Sequence, residues 1–215
     1  MPLPGETTFD APHVERHSRL TTFFRWLLVI PHLVVAALYG FVAYIAGFIA
    51  WFAVVFTGRY PAGLYGFIAG FVRYASRVSS YSYLLADAYP PFGTGPESPY
   101  PVGLQVGPPK ESYSRLSALI RIFPLIIVWV IAYVLSIVLG VVAFVAWFVV
   151  VIMGRLPRGL HDVLAFCISY QCRAMAYAFL LTESFPSFDT AGARPEAPGG
   201  AYGATPADAT RTSAD

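Results

Sequence analysis

The sequence predicts an all-α fold: an integral membrane helical bundle built from two tandem helical-pair repeats. Three observations carry this. The chain is 57% apolar and 12% charged, with a mean hydropathy of +0.61, whereas a soluble domain carries about 25% charged residues. Two long stretches, Trp26 to Phe56 and Ile122 to Gly154, contain no charged residue. Finally, the run Ala50 to Leu64, apolar until Gly58-Arg59 and then broken by Pro61 and Gly63, returns as Ala146 to Leu160 with Gly154-Arg155, Pro157 and Gly159.

Residues 1–18 read as a polar tail. Glu6, Asp10 and Glu15 precede the first apolar run, so the start does not read as a cleavable signal, and the first membrane segment is expected to do its own targeting. His13 and His17 stand at i, i+4, a spacing that can chelate a metal. With no further ligand beside them, they read as solvated tail residues.

Residues 19–92 form the first membrane repeat. As helix, Trp26 to Phe56 reaches roughly 46 Å, more than one hydrocarbon core of ~30 Å and less than two spans with a turn. Pro31 suits a first helical turn, so the span is expected to start there, behind a lead-in helix carrying Arg19 and Arg25. A bent pair of half-helices, weakened at Gly40 and Gly47, is the alternative. After Gly58 to Pro61, a strong stop, Leu64 to Ala86 reads as an amphipathic helix. Leu64, Phe67, Ile68, Phe71, Ala75, Val78 and Leu85 share one face, and Arg73, Ser76, Arg77 and Ser80 the other. Such a helix can lie in the interface or, packed through Gly66 and Gly70, span the bilayer.

Residues 93–114 are a Pro/Gly-rich linker, expected to be an extended aqueous connection. Residues 115–188 are the second repeat. A constant offset takes Arg19-Leu20 to Arg115-Leu116, Arg25 to Arg121, Trp51 to Trp147, Arg77 to Arg173, Tyr81 to Tyr177 and Asp87 to Glu183 without a gap, so one structural unit is used twice. Gly66 becomes Asp162 and Arg73 becomes Ser169. Residues 189–215, rich in Ala, Gly, Pro and Thr, are expected to be a disordered tail.

Arg-Leu-x(4)-Arg, a charge-free run, Trp-Phe, Gly-Arg-x-Pro-x-Gly-Leu and a close on Tyr89-Pro90-Pro91-Phe92 together resemble the bacterial domain-of-unknown-function family 4389. In the second copy the close is Phe185-Pro186-Ser187-Phe188. The resemblance implies a membrane protein of the bacterial inner membrane and no established activity.

The chemistry on offer is sparse. Net charge is +2 and dispersed, which argues against nucleic acid as a partner. Cys167 and Cys172 point away from each other on a helix and match no zinc pattern, so they read as packing residues. His161 and Asp162 are expected to point about 100° apart rather than pair. No catalytic set, metal site or cofactor site emerges, and the expectation is a protein that is not an enzyme. Arg59, Arg73 and Arg77, and Arg155, Arg158 and Arg173, are candidate contacts for lipid phosphate; the plainer reading of Arg59 and Arg155 is an interfacial anchor.

Membrane lipids are therefore the expected partners, with other membrane-protein subunits or a second copy of the chain as further ones. The role is expected to be that of a scaffold, accessory subunit or anionic-lipid-interacting protein. The alternative is a small transporter or channel with a polar cavity between the repeats. If two helices span, the copies are inverted relative to each other; if four span, they are parallel. Charge bias favours four spans and a cytoplasmic N-terminus, whereas the arginines of the second helices suit two spans; either count makes a multi-pass protein.

Overall fold

A computed structural model describes residues 5, 7–14, 16–95, 100–186 and 188; the tail expected at 189–215 lies outside them, as do Glu6, Glu15 and Ser187. Each repeat starts its long helix at a serine. Ser18 and Ser114 are extended, and their hydroxyls accept from the N–H of Thr21 at 3.4 Å and of Ser117 at 3.2 Å, which satisfies one open donor at each helix start. Helix α1 (Arg19–Thr57) stops where Gly58 turns to φ 72° and returns its N–H to Val54. In the second copy α3 (Arg115–Ile120) and α4 (Ile122–Met153) stop at Gly154, φ 70°, bonded to Val150. Glycine takes this left-handed cap without the Cβ penalty.

Pro31 lies inside α1, which corrects the expected division into lead-in helix and span: in the first copy they are one helix. The second copy does divide, at Arg121. Pro124 stands just past this break and withholds a donor from Ile120, four residues back, where the first copy has Leu28; Pro31 withholds one from Leu27 in the same way, yet α1 continues through it.

Pro61 and Pro157 hold each elbow extended, and α2 (Ala62–Ser82) and α5 (Arg158–Ala178) begin at the next residue. Helix α2 runs back along the first half of α1: Tyr39 donates to the Phe67 carbonyl at 2.8 Å, and His32 Nδ1 meets the Tyr74 hydroxyl at 2.8 Å. Both faces of α2 are covered. Ile68, Phe71 and Val78 are buried, and so are Ser76, Arg77 and Ser80, so its polar face meets protein, unlike that of a helix lying in the interface with its arginines on the headgroups.

What covers that face is the linker and the N-terminal segment. Strand β1 (Thr7–Asp10) pairs antiparallel with β2 (Gly103–Val106), Thr7 opposite Val106 and Asp10 opposite Gly103. Phe9 and Leu104 point into the core. The segments expected as a solvated tail and an open connection are therefore a two-stranded ribbon laid over α2 and α5. Three layers result: α1 with α3 and α4, then α2 with α5, then the ribbon.

The two copies are related by a pseudo-two-fold axis. Trp51 Nε1 donates to Ala118 O at 3.0 Å, and Trp147 Nε1 to Thr22 O at 3.1 Å. His17 N–H bonds Gly154 O at 3.1 Å, and Tyr113 N–H bonds Gly58 O at 2.9 Å. In each pair one bond becomes the other when the copies are exchanged, the mark of a self-complementary interface. Because the start of α1 meets the end of α4 and its end meets α3, the long helices are antiparallel. If both long helices crossed a membrane, the copies would be inverted, not parallel. Among the described residues α1 and α4 are the two helices long and apolar enough to cross a membrane, each 22% buried over its most apolar window, so of the two and four spans weighed from the sequence, two have candidates.

Candidate functional site

The first feature of note is a surface. Along α1 only a narrow stripe, including Val29, His32, Ala43, Ala46, Ala50 and Val54, is buried. The remainder is apolar and open: Leu38 and Phe41 are each 67% exposed, and so is Tyr133 on α4. A helix apolar on nearly every side requires an apolar surrounding.

The second feature is where the arginines sit. Arg25 and Arg121 are buried at the ends of α2 and α5. Arg121 Nη1 donates to the carbonyls of Tyr177 and Thr182, both at 2.9 Å, with its guanidinium 4.3 Å from the Tyr177 ring centroid. Arg25 donates to Tyr81 O and, at 2.8 Å, to Ala86 O, over the Tyr81 ring at 4.5 Å. Each arginine thus caps carbonyls that the preceding helix leaves open at its C-terminus. The sequence gives Arg25 only a place on the lead-in helix; the identical spacing from Arg25 to Tyr81 and from Arg121 to Tyr177 is the signal that points to these seats.

Beside these seats stand the acids. Asp87 accepts from Arg25 Nη2 at 2.8 Å and from Ser18 N–H at 3.2 Å, with His17 Nδ1 at 3.7 Å. Glu183 accepts from Lys110 Nζ at 2.7 Å and from Ser114 N–H at 3.3 Å. Partial burial pushes both carboxyls up, but the His17 contact, the Ser18 N–H and the Arg25 charge hold Asp87 below its usual value, and Lys110 with the Ser114 N–H does the same for Glu183.

Of the six candidate phosphate contacts, Arg59, Arg155 and Arg158 are exposed, Arg73 is half-buried, and Arg77 and Arg173 are buried. Arg77 donates to Gly93 O at 2.7 Å and Gly95 O at 2.8 Å, fastening the linker, and Arg173 reaches Ser169 Oγ at 2.9 Å. Arg155 instead joins Arg16 and Arg19, which the sequence did not single out for this role, around an open cavity of about 510 Å³ with His17, Met153 and Gly154. Arg155 and Arg158 share a second cavity with His13. One end of the long helices is therefore strongly basic, chemistry suited to phosphate oxygens.

The histidines also differ from expectation. His13 Nε2 lies 3.0 Å from Leu156 O, its ring stands edge-on to His161 at 4.9 Å, and His17 is buried. His161 Nδ1 and Asp162 Oδ1 are 3.3 Å apart, so the acid bends back to its neighbour despite the helical offset. Burial pushes His161 down and Cys172 up to about 12, which leaves the thiol poorly nucleophilic at neutral pH. Among the described residues no three His, Cys, Asp or Glu side chains gather as a metal site.

The repeat seen in the hydrogen-bond pattern is also a family signature. The model of the family described as Domain of unknown function (DUF4389) matches residues 19–93 and again 115–189. The chain belongs to this family. No curated protein and no solved structure matches it.

Proposed function

We propose that this DUF4389 protein is a non-catalytic, membrane-embedded protein of the inner membrane that binds anionic lipid and serves as a scaffold or accessory subunit. The exposed apolar surface of α1 and α4 carries the reading. Exposed apolar patches on soluble monomers rarely exceed a few hundred Å², and here open Leu, Phe, Ile, Val and Trp side chains run from Leu20 to Phe56 and from Leu116 to Met153. Arg16, Arg19, Arg155 and Arg158 supply the anionic-lipid preference at one end of these helices, with Arg59 and Arg115 at the other.

Two measurements test this. The protein should stay with the membrane pellet through high salt and alkaline carbonate and leave it only with detergent; release by carbonate alone sinks the membrane reading. After mild extraction it should retain anionic phospholipid, and Arg16→Gln, Arg19→Gln and Arg155→Gln together should remove most of that lipid. Equal retention by the triple variant refutes the lipid role while leaving the membrane location standing.

A transport role would draw support from the repeat if the long helices crossed the membrane, which would make the copies inverted. The groove between α1, α4 and α5, which brings Tyr44 together with Ser136 and Gln171, is lined mostly by apolar groups and is a poor path for a polar solute. Solute flux in liposomes at a rate above protein-free vesicles would favour transport over the scaffold role.

A further inference from the structure

The ribbon bears on how the long helices lie in lipid. We propose that α1 and α4 lie flat within one leaflet, with the pseudo-two-fold axis along the membrane normal, so that the protein enters the bilayer from one side without crossing it. This rests on the membrane reading above and adds the orientation.

Between Asp87, beside Ser18 at the start of α1, and Tyr113, bonded to Gly58 at its end, the chain travels the whole length of α1. Strand β2 lies on this path. Strand β1 precedes α1 at the same distance as β2 precedes α3, and the two pair antiparallel, so exchange of the copies swaps one strand for the other, with a one-residue slip that keeps Phe9 and Leu104 on the core side. The axis therefore passes through the ribbon, level with the middle of the long helices. If those helices crossed a bilayer, the ribbon would sit at its centre. There Asp10 and Gln105 are exposed, and among the described residues each strand has a single neighbour, so each has an outer edge. Hydrocarbon offers the groups along such an edge no partner, which is why open sheet edges are absent from lipid-exposed membrane interiors.

With the helices in the membrane plane the layers come in a compatible order. The open side chains of α1 and α4 meet acyl chains, α2 and α5 sit at headgroup depth, and the ribbon meets water. Length agrees as well. At 1.5 Å per residue α1 is about 58 Å long and α4 about 48 Å, against a core of ~30 Å, so a crossing would require steep tilt. The surface is also one-sided. Among the described residues, apart from Phe67, Tyr89, Phe92, Val163, Phe185 and Phe188, the exposed large hydrophobic side chains belong to α1, α3 and α4, whereas Asp10 and Gln105 are exposed on the ribbon. A crossing protein needs an apolar girdle all round. In the flat arrangement Arg16, Arg19 and Arg155 at one end and Arg59 and Arg115 at the other all reach the phosphates of the same leaflet.

The test places single cysteines in the full chain at Arg16→Cys, Ser112→Cys and Gln105→Cys, one at each end of α1 and one on the ribbon; Cys167 and Cys172 are buried and serve as the background. Sealed vesicles of both orientations are treated with a membrane-impermeant maleimide, with helicity by circular dichroism as the folding control and Glu111→Cys replacing Ser112→Cys should that variant misfold. All three sites should label in the same vesicle orientation and stay silent in the other until detergent is added. Labelling of Arg16→Cys and Ser112→Cys from opposite sides means the helices cross and overturns the proposal. Protection of Gln105→Cys in both orientations means the ribbon faces lipid or a second copy, and overturns it too. A chain that does not remain with the vesicles at all fails the membrane reading itself, which the carbonate wash detects separately.

Discussion

The indole N–H of Trp51 in α1 donates to the carbonyl of Ala118 in α3 at 3.0 Å. Its counterpart, Trp147 on Thr22 at 3.1 Å, closes the other end of the same antiparallel contact. Each bond joins one copy to the other, so together they clamp the interface at both ends. Trp51→Phe and Trp147→Phe keep an aromatic ring and lose the donor, and each should cost about 1 kcal/mol. The sites lie at opposite ends of α1 and share no partner, so the double variant should cost the sum to within about 0.5 kcal/mol. Thermal or denaturant unfolding in detergent gives these values, and a strongly non-additive result would show that the two ends are coupled through the helices.

The buried arginines should not be equivalent. Removing Arg121 leaves the Tyr177 and Thr182 carbonyls without their donor, while Glu183 keeps Lys110 and the Ser114 N–H. Removing Arg25 opens the matching carbonyls and also takes away the guanidinium of Asp87, whose side chain is only 28% exposed. Arg25→Gln is therefore expected to destabilise more than Arg121→Gln. Both losses should fall at or above about 1–3 kcal/mol, the cost of stranding a buried polar partner. Adding Asp87→Asn to Arg25→Gln should recover part of the difference, and adding Glu183→Gln to Arg121→Gln should recover little. Unfolding of the four variants settles the ranking.

Much of this architecture was legible because it is written twice. The offset from Arg19 to Arg115 carries through the helix starts, the Gly58 and Gly154 caps and the Pro61 and Pro157 elbows, each of which is set by local chemistry. The seats of Arg25 and Arg121 were not legible, since a charged residue near an apolar run reads as a headgroup anchor until the carbonyls that receive it are known. The ribbon was hidden for a different reason. Thr7 to Asp10 and Gly103 to Val106 hold the same place in the repeat but share no residue type, and four-residue strands beside prolines carry little periodicity. The parallel arrangement favoured by charge bias failed because that rule counts charges on sides of a membrane, and here the arginines sit at the ends of helices that run antiparallel.

Acid should unfold the protein in two stages. His161 is pushed below its ordinary 6.5 by burial, so the unfolded chain takes up its proton first. That part of the stability is complete above about pH 6.5 and is lost as pH falls through the lowered folded value. Asp87 and Glu183 are held below their ordinary 3.8 and 4.5; their contribution is complete above those values and disappears as pH falls through the folded ones. Melting temperature should therefore decline below pH 6.5 and again below about pH 4.5. His161→Gln should weaken the first decline and leave the second, and Asp87→Asn should weaken the second.

Leu84 and Leu180 present a contest between strain and burial that a pair of substitutions can resolve. Both take left-handed backbone, φ 65° and 60°, just past the ends of α2 and α5, and such geometry costs a non-glycine residue roughly 1–2 kcal/mol. Both side chains are also 2% exposed, and truncating a buried leucine costs about 2–5 kcal/mol. Burial outweighs strain, so Leu180→Gly should destabilise the protein even though it relieves the backbone. Leu180→Ala loses nearly the same packing and keeps the strained φ. At an ordinary helical position glycine is the worse residue by about 0.5–1 kcal/mol; at Leu180 the order should invert, with alanine the less stable of the two. Leu181→Ala and Leu181→Gly supply the control, because Leu181 is fully buried without the positive φ, and there glycine should be worse. If glycine is also worse at Leu180, the left-handed turn relaxes once the buried leucine side chain is gone.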